Sequence, residues 1–322
     1  MGKFVRRTVL TCLCVMLFSI EALAARTVIP GGQVIGIELL DGTVTVAAID
    51  ETLGENVRTA GVQTGDRILK IDGKPITEAG DVRYQLERSD GTVEMEIERE
   101  GKTRKITLKP SVTREGPRLG VYLRQGITGV GTVTWYDPET GNFGALGHGV
   151  NTPQGELLTM KEGRVYSASV AGVIRGTSGE PGQLLGSLES RVPVGTLEKN
   201  TDRGIFGTAQ IPWGGQEITV AAPGEVKTGE ATILATVAGK QRQEYSVEIL
   251  KIYPGSRQAG RSMLLRVTDP ALLEATGGIV QGMSGSPIIQ DGKLVGAVTH
   301  VLVNDPTTGY GIFIENMLDA AA

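Results

Sequence analysis

The residues best suited to chemistry form a glycine-rich turn, residues 282–287, with the sequence GMSGSP. Ser284 lies between glycines and just before an apolar run, so its hydroxyl should be exposed and its neighbouring N–H groups free. The amides of Gly282 and Ser284 could converge on an oxyanion, as the donors of an oxyanion hole do. A serine hydroxyl is a weak nucleophile unless a base lies within hydrogen-bond reach. The turn therefore predicts a nucleophile that requires a base from elsewhere in the chain.

The chain contains only two histidines, His148 and His300. His148 lies in residues 144–149 (GALGHG), where the glycines permit close approach of the backbone. An imidazole titrates near neutral pH, which suits a general base. We therefore predict His148 as the base. His300, which follows an apolar run, is the only substitute, and it could instead line a substrate cleft or pack as a structural side chain.

A carboxylate should fix the tautomer of the catalytic imidazole. Asp269, before Pro270, is the leading candidate. Asp291 is followed by glycine and is typical of a hairpin turn, and Asp305 precedes a proline in a predicted loop. Ser286 is a rival nucleophile, although the proline after it favours a structural role in the turn.

Composition narrows the classes of function. A length of 322 residues predicts two domains at roughly 150 residues each. A formal net charge of −4 argues against a strongly basic nucleic-acid-binding protein, so no nucleic-acid partner is predicted. Two cysteines and two histidines are too few for a zinc site of the Cys and His kind. Phosphate-loop, zinc-helix and dinucleotide motifs are absent from the sequence. We therefore predict no metal and no cofactor.

The first 24 residues predict an export signal. A basic start is followed by an apolar run over residues 8–20 and by a small-x-small stretch that ends at Ala24. That run is shorter than the roughly 20 residues that span a bilayer, so cleavage after Ala24 is preferred over a retained membrane anchor. Cys12 and Cys14 both lie in this segment, so the mature chain would have no thiol and no disulfide.

The rest of the chain divides into two predicted domains, residues 25–110 and residues 111–322. The first contains short strands and one helix over residues 81–88, which indicates an α+β module. The second contains about ten short β-rich runs separated by turn residues, which favours a barrel or a pair of sandwiches. Within it, helices are indicated at 271–274 and 314–320.

Residues 60–75 (AGVQTGDRILKIDGKP) closely resemble the signature of a bacterial PDZ domain. In that family an apolar-Gly-apolar loop presents N–H groups to the C-terminal carboxylate of a peptide, which adds as a strand to the sheet edge. Ile35, Gly36 and Ile37 form the matching position and are the predicted peptide-binding loop. The resemblance implies a peptide ligand, and the alternative is a rigid spacer.

Residues 144–149, 277–287, 296–301 and 304–311 resemble the stage IV sporulation protein B (SpoIVB) peptidase family, as does the order of export segment, PDZ domain and peptidase domain. The resemblance implies a mainly β chain, with an α+β PDZ domain followed by a chymotrypsin-like β-barrel serine peptidase domain. It also implies a His148, Asp269, Ser284 triad. Met283 departs from trypsin-like enzymes, which carry an aspartate before the serine.

What the family implies is a sporulation endopeptidase exported to the space between the forespore and mother-cell membranes, with a membrane association. There it would cleave a membrane-bound regulator of the protease that activates sigma factor K, and it would also cleave its own chain. The main alternative is a catalytically silent PDZ adaptor that scaffolds membrane partners. A housekeeping peptidase of the cell envelope is a third, weaker hypothesis.

Overall fold

The computed structural model describes residues 26–210, 213–222, 224–255 and 260–322. The predicted export segment lies outside them. The strands are β1 (Thr27–Pro30), β2 (Val34–Ile49), β3 (Arg67–Ile71), β4 (Lys74–Pro75), β5 (Val93–Arg99), β6 (Lys102–Leu108), β7 (Ser111–Thr113), β8 (Gly116–Arg118), β9 (Val121–Tyr136), β10 (Asn142–Ala145), β11 (Glu162–Ile174), β12 (Gln183–Leu188), β13 (Gly195–Thr201), β14 (Gly204–Ala209), β15 (Ile218–Thr219), β16 (Gly229–Ala235), β17 (Gln243–Ile252), β18 (Met263–Val267), β19 (Pro287–Gln290), β20 (Lys293–Leu302) and β21 (Asp305–Phe313). The helices are α1 (Glu55–Thr59), α2 (Ala79–Arg88), α3 (Pro270–Thr276) and α4 (Ile314–Ala321).

The first barrel is a closed ring of antiparallel pairs in the order β2, β9, β10, β14, β13, β11 and back to β2. Its interior is apolar and includes the fully buried Leu39, Val133, Phe143 and Val165. Alternate side chains of a strand point to one face, so the alternating apolar residues of these strands fill the ring.

The second barrel is closed in the order β16, β17, β18, β21, β20 and β19. If the six strands of each barrel are counted along the chain, both rings have the same order: 1, 2, 3, 6, 5, 4. Buried aliphatic residues such as Ile233, Ile249 and Leu265 fill this second ring. The pair of barrels confirms the predicted mainly β fold and its β-barrel peptidase domain.

The α+β module is inserted between the first two strands of the first barrel. β2 and β9 pair within the barrel through residues 34–39 and 127–132. Beyond a break in register the same two strands pair again, through residues 44–49 and 121–125, in a small sheet with β3, β5 and β6. The module therefore grows out of a continuous two-stranded ribbon of the peptidase. The predicted division after residue 110 stays a prediction, but in space residues 27–40 lie with the first barrel.

The core of the inserted module is separate from the barrel cores. It contains the buried Val46, Ile68, Ile71 and Val82, together with apolar residues of β5 and β6. α2 covers this sheet and begins with a capping box between Glu78 and Asp81. The α+β character predicted for the module is therefore confirmed.

Within the described residues, no helix has both the length and the apolar character that are needed to cross a bilayer.

Candidate active site and peptide groove

The nucleophile turn and the histidine loop come from different barrels and meet. Ser284 lies in the turn that leads into β19, and His148 lies in the loop that follows β10. The two segments touch at Gly285, because a Cβ there would lie 2.6 Å from the backbone nitrogen of Leu146. The structure thus places the predicted nucleophile and the predicted base in one region, between the two barrels.

Ser284 is partly exposed, and its hydroxyl donates a hydrogen bond to the backbone carbonyl of Thr299, at 2.7 Å. The turn is tight, with φ of +97° at both Gly282 and Gly285 and a hydrogen bond from the Met283 N–H to Val280 O. The N–H groups of Gly282 and Ser284 have no acceptor among the described residues. Two free donors beside the hydroxyl are what an oxyanion hole requires. The assignment of Gly282 and Ser284 to that hole stays a prediction.

Ser286, the rival nucleophile, is fully buried. Its backbone N–H and C=O groups hold the turn, through hydrogen bonds to Met283 O and from Val298 N. A hydroxyl without access to substrate cannot act as a nucleophile, so this position is structural.

His148 is held in one tautomer by its own loop. Its Nδ1 atom lies 3.0 Å from the carbonyl oxygen of Gly149. Because a carbonyl only accepts hydrogen bonds, Nδ1 carries the proton and Nε2 keeps its lone pair. Burial lowers the pKa of His148 below its usual 6.5, and the bond to Gly149 offsets part of that shift. The imidazole is therefore neutral at pH 7, as a general base must be.

His300 lies beside His148, with ring centroids 5.1 Å apart. Burial is the largest cause that lowers the pKa of His300 to about 4, and repulsion from His148, once that ring is protonated, and from Arg261 adds to the shift. Its Nδ1 atom is buried and has no hydrogen-bond partner in the part of the chain that the structure describes. The second histidine is therefore a neutral component of the same region, on β20 next to Thr299.

Asp269, the predicted acid, has its hydrogen bonds elsewhere. It is the N-cap of α3, where one carboxylate oxygen accepts from the N–H groups of Ala271 and Leu272. The other oxygen accepts from Ser246 N, at 3.2 Å. No hydrogen bond joins Asp269 to either histidine among the described residues. The local reason is that Asp before Pro is a favourable start for a helix. Its assignment as the triad acid stays a prediction, and the structure does not bring it to His148.

Sequence reasoning missed the side chains that hold these loops. Asn200, at the end of β13, accepts from Val150 N and donates to Val150 O and Leu158 O, which secures the loop that follows His148. Thr132 and Thr134 on β9 bond carbonyls of the nucleophile turn. Nothing in the sequence marks these residues, because their partners lie 42 to 151 positions away.

The predicted peptide-binding loop is not a loop in this structure. Ile35, Gly36 and Ile37 lie near the start of β2, paired with β9 on one side and with β11 on the other. Ile35 and Ile37 are also buried. A strand with partners on both sides has no free N–H groups to present to a carboxylate, so the structure corrects the position of this loop. The physical reason is that this segment is the first strand of a barrel.

A second apolar-Gly-apolar sequence, residues 119–121, forms the kind of free loop that residues 35–37 do not form. Leu119, Gly120 and Val121 lead into the part of β9 that belongs to the inserted module. The N–H groups of Leu119 and Gly120 have no acceptor among the described residues. Gly120 has φ of +72°, and a Cβ there would lie 2.2 Å from Leu53 O, so only glycine fits.

A groove of about 430 Å³ opens beside this loop, between α2 and the start of β9. Its apolar lining includes Val82, Leu86 and Leu123. Residues 121–125 pair with β2 alone, so within the described chain the β9 edge that faces α2 is free to accept another strand. This geometry fits an extended peptide with a terminal carboxylate.

Among the described residues, no group of three or more His, Cys, Asp or Glu side chains could hold a metal ion.

Comparison with protein-family models gives two matches. The model of the SpoIVB peptidase S55 family matches residues 115–318, and the model of the PDZ domain matches residues 34–109.

Two curated relatives match a smaller part of the chain. One, from Rhizobium meliloti (strain 1021), is provisionally named zinc metalloprotease R01501 and is 41% identical over 85 residues, which are 26% of this chain and 22% of the relative. The other, from Agrobacterium fabrum (strain C58 / ATCC 33970), is provisionally named zinc metalloprotease Atu1380 and is 36% identical over 86 residues, with the same two shares. The chain thus spans about a fifth of the length of the curated relatives it matches.

Solved structures align weakly. The Rv3671c protease from M. tuberculosis, in its active form, has a TM-score of 0.37 and 17% identity, over 61% of this chain and 73% of that one. The PDZ domain of the SdrC-like protein (Lmo2051) from Listeria monocytogenes has a TM-score of 0.22 and 19% identity, over 25% of this chain and 85% of that one. The fold assignment therefore rests on strand pairing and on the family models.

Proposed function

The chain belongs to the SpoIVB peptidase S55 family, and from this premise we propose that it is a sporulation serine endopeptidase with Ser284 as nucleophile and His148 as general base. One observation carries the residue assignment. A partly exposed serine, flanked by two unbonded N–H groups, lies in the same region as a histidine whose Nδ1 is held by a carbonyl. A nucleophile, a neutral base and oxyanion donors are the parts that acyl transfer needs.

The mechanism requires the Ser284 hydroxyl to leave the carbonyl of Thr299, to which it donates at 2.7 Å, and to donate to His148 Nε2 instead. His148 then takes the hydroxyl proton as Oγ attacks the scissile carbonyl carbon, and the N–H groups of Gly282 and Ser284 stabilise the resulting oxyanion. The imidazolium gives its proton to the leaving amine. A water molecule, activated by the same imidazole, hydrolyses the acyl-enzyme.

The proposed substrate is a protein in the compartment to which the export segment would send the enzyme. We propose that this compartment is the space between the forespore and mother-cell membranes. The substrate there would be a membrane-bound regulator of the sigma-K-activating protease, and the enzyme would also cleave its own chain. The PDZ domain would hold a peptide ligand in the groove between α2 and β9. The unbonded N–H groups of Leu119 and Gly120 support a ligand with a free C-terminal carboxylate.

A fluorophosphonate label tests the nucleophile, because it reacts with activated serines. We expect the full-length exported protein to carry the label on the peptide that contains Ser284, and the S284A variant to carry none. The control is S286A, which should keep the label because that hydroxyl is buried. An unlabelled wild-type protein would contradict the proposal that this protein is a serine peptidase.

That negative result would favour the second candidate, a catalytically silent PDZ adaptor. The observation on its side is that the Ser284 hydroxyl is bonded to a main-chain carbonyl while Asp269 caps a helix. The adaptor needs only the PDZ groove, so S284A would then leave the function of the protein unchanged.

A further inference from the structure

The nucleophile turn is anchored to a strand of the opposite barrel, β9. We propose that Thr132 is a positioning residue that sets the Ser284 turn and the His148 loop relative to one another. This inference rests on the proposed function, in which Ser284 is the nucleophile.

Thr132 uses all three of its polar groups at this junction. Its backbone N–H donates to Ser284 O, at 3.1 Å, and its hydroxyl donates to Gly282 O, at 2.8 Å. Its own carbonyl accepts from Leu146 N, at 3.3 Å, two residues before His148. One residue thus bonds both the segment with the nucleophile and the segment with the base.

The two bonds to the turn bracket the reacting residue. Fixing the Gly282 and Ser284 carbonyls fixes the peptide planes that also contain the N–H groups of Met283 and Gly285. The proposed oxyanion donors lie on the adjoining planes: the Ser284 N–H on the plane between the two fixed ones, and the Gly282 N–H on the plane just before them. The two bonds therefore limit how far these donors can turn. The Thr132 hydroxyl is buried, so its bond to Gly282 O is not exchanged for bonds to bulk water.

β9 holds the turn at a second point with the same chemistry. Thr134, two residues further along and therefore on the same face of the strand, donates its buried hydroxyl to Gly285 O, at 2.8 Å. Gly285 permits this approach because a Cβ there would lie only 2.0 Å from Thr132 O. The close contact of strand and turn therefore depends on residues from both barrels.

The Thr132 hydroxyl can be removed without changing the backbone. T132V is nearly isosteric and leaves Gly282 O without its buried donor, so the turn loses one of its three bonds to Thr132 and Thr134. A displacement of about 1 Å at a reacting group can cost on the order of a hundredfold in rate. The loss should appear in the rate of the covalent step rather than in the affinity for the reagent.

The experiment measures the fluorophosphonate reaction of the full-length protein as a maximal rate constant and an apparent affinity, together with the melting temperature. We expect T132V to lower the maximal rate constant about tenfold or more with an unchanged apparent affinity. T132S keeps the hydroxyl and should restore a rate within about threefold of wild type. The matched control is T128V, on the same strand but with an exposed side chain, which should react like wild type.

A wild-type rate in T132V would overturn the inference while leaving the proposed function intact. T132A is the second variant, because it removes the hydroxyl without adding volume. Loss of the folded protein in both T132V and T132A would assign Thr132 to the fold rather than to the site, and would also overturn the inference. Failure of the wild-type protein to react would overturn the proposed function instead.

Discussion

At the scale of single residues, the proposed active site depends on how His148, the proposed base, is held. In the described arrangement a main-chain carbonyl, that of Gly149, fixes the tautomer of His148. An uncharged carbonyl thus fixes the tautomer here, which a carboxylate does in the usual triad. An uncharged partner stabilises an imidazolium less than a carboxylate does, so burial dominates and the pKa of His148 falls.

This lowered pKa predicts the acid limb of the pH profile. Protonated His148 cannot accept the serine proton, so activity is lost as pH falls through the pKa of His148 in the folded enzyme. We expect the midpoint of the fluorophosphonate rate to lie below 6.5, the ordinary value for histidine. The rate would be measured between about pH 4 and pH 8, around that histidine pKa. A midpoint at or above 6.5 would show that a nearby negative charge stabilises the imidazolium.

The D269N variant separates two roles of Asp269, the helix cap that the structure shows and the triad acid that the family resemblance implies. Asparagine caps a helix about as well as aspartate does, so the variant should keep the cap and lose the charge together with the longer bond from Ser246 N. Because the carboxylate is bonded to three backbone N–H groups, we expect the melting temperature and the labelling rate to stay close to wild type. A loss of rate of about a hundredfold or more, at an unchanged melting temperature, would instead support the acid role that the family resemblance implies.

At the scale of elements, β9 has two tasks. Its first residues form the open edge of the peptide groove, and its later residues hold the nucleophile turn. Strand pairing with β2 continues on both sides of the break in register between Leu39 and Val44. The strand therefore links the inserted module directly to the region of Ser284.

The groove assignment predicts a contrast between two glycines. A G120A variant should lose peptide binding, because φ of +72° and a Cβ at 2.2 Å from Leu53 O would displace the loop. G36A should keep binding, since its Cβ meets only the end of the Leu188 side chain. The probe is a fluorescent peptide with an apolar C-terminal residue and a free carboxylate, compared with its amidated form, by fluorescence anisotropy. Loss of binding in G36A alone would return the loop to residues 35–37.

At the scale of the whole molecule, the core of the inserted module and the core of the first barrel are joined by two shared strands, β2 and β9. The inserted module has its own internal brace, an ion pair in which Arg99 bonds both carboxylate oxygens of Asp66, at 2.6 and 2.7 Å. The Asp66 side chain is 1% exposed, so its oxygens bond Arg99 and the backbone rather than bulk water. Asp66 also accepts from Gln63 N in the turn of the PDZ signature.

This brace predicts a large effect on stability. D66N would leave the Arg99 guanidinium without its charged partner beside a buried side chain, so we expect a clear loss in the free energy of unfolding. The matched control is E94Q, which breaks the exposed pair with Lys105 and should lower the free energy of unfolding much less. Urea unfolding of the full-length protein measures both. Equal effects of the two variants would contradict the role of the buried pair.

The candidate nucleophile and the candidate base could be predicted from the sequence, because the features that mark them lie next to them in the chain. Glycines around Ser284 and His148 indicate tight turns that expose a side chain, and a chain with two histidines leaves little choice of base. Alternating apolar residues predict the β-rich domain, and helices were predicted near 81–88, 271–274 and 314–320, where the structure has α2, α3 and α4. The resemblance to a PDZ domain rests on residues 60–75. The resemblance to the peptidase family rests on the segments around His148 and Ser284 and on residues 296–301 and 304–311.

Only the tertiary structure decided which segments are neighbours. Residues 35–37 and 119–121 are both apolar-Gly-apolar segments. The first lies in a fully paired barrel strand and cannot act as a loop, whereas the second has free N–H groups at Leu119 and Gly120 among the described residues. In the same way, only the structure shows that Asp269 caps a helix and that Thr132 bonds a turn about 150 residues away. The physical reason is that backbone hydrogen bonds between strands join residues far apart in sequence, and no local pattern encodes the partner.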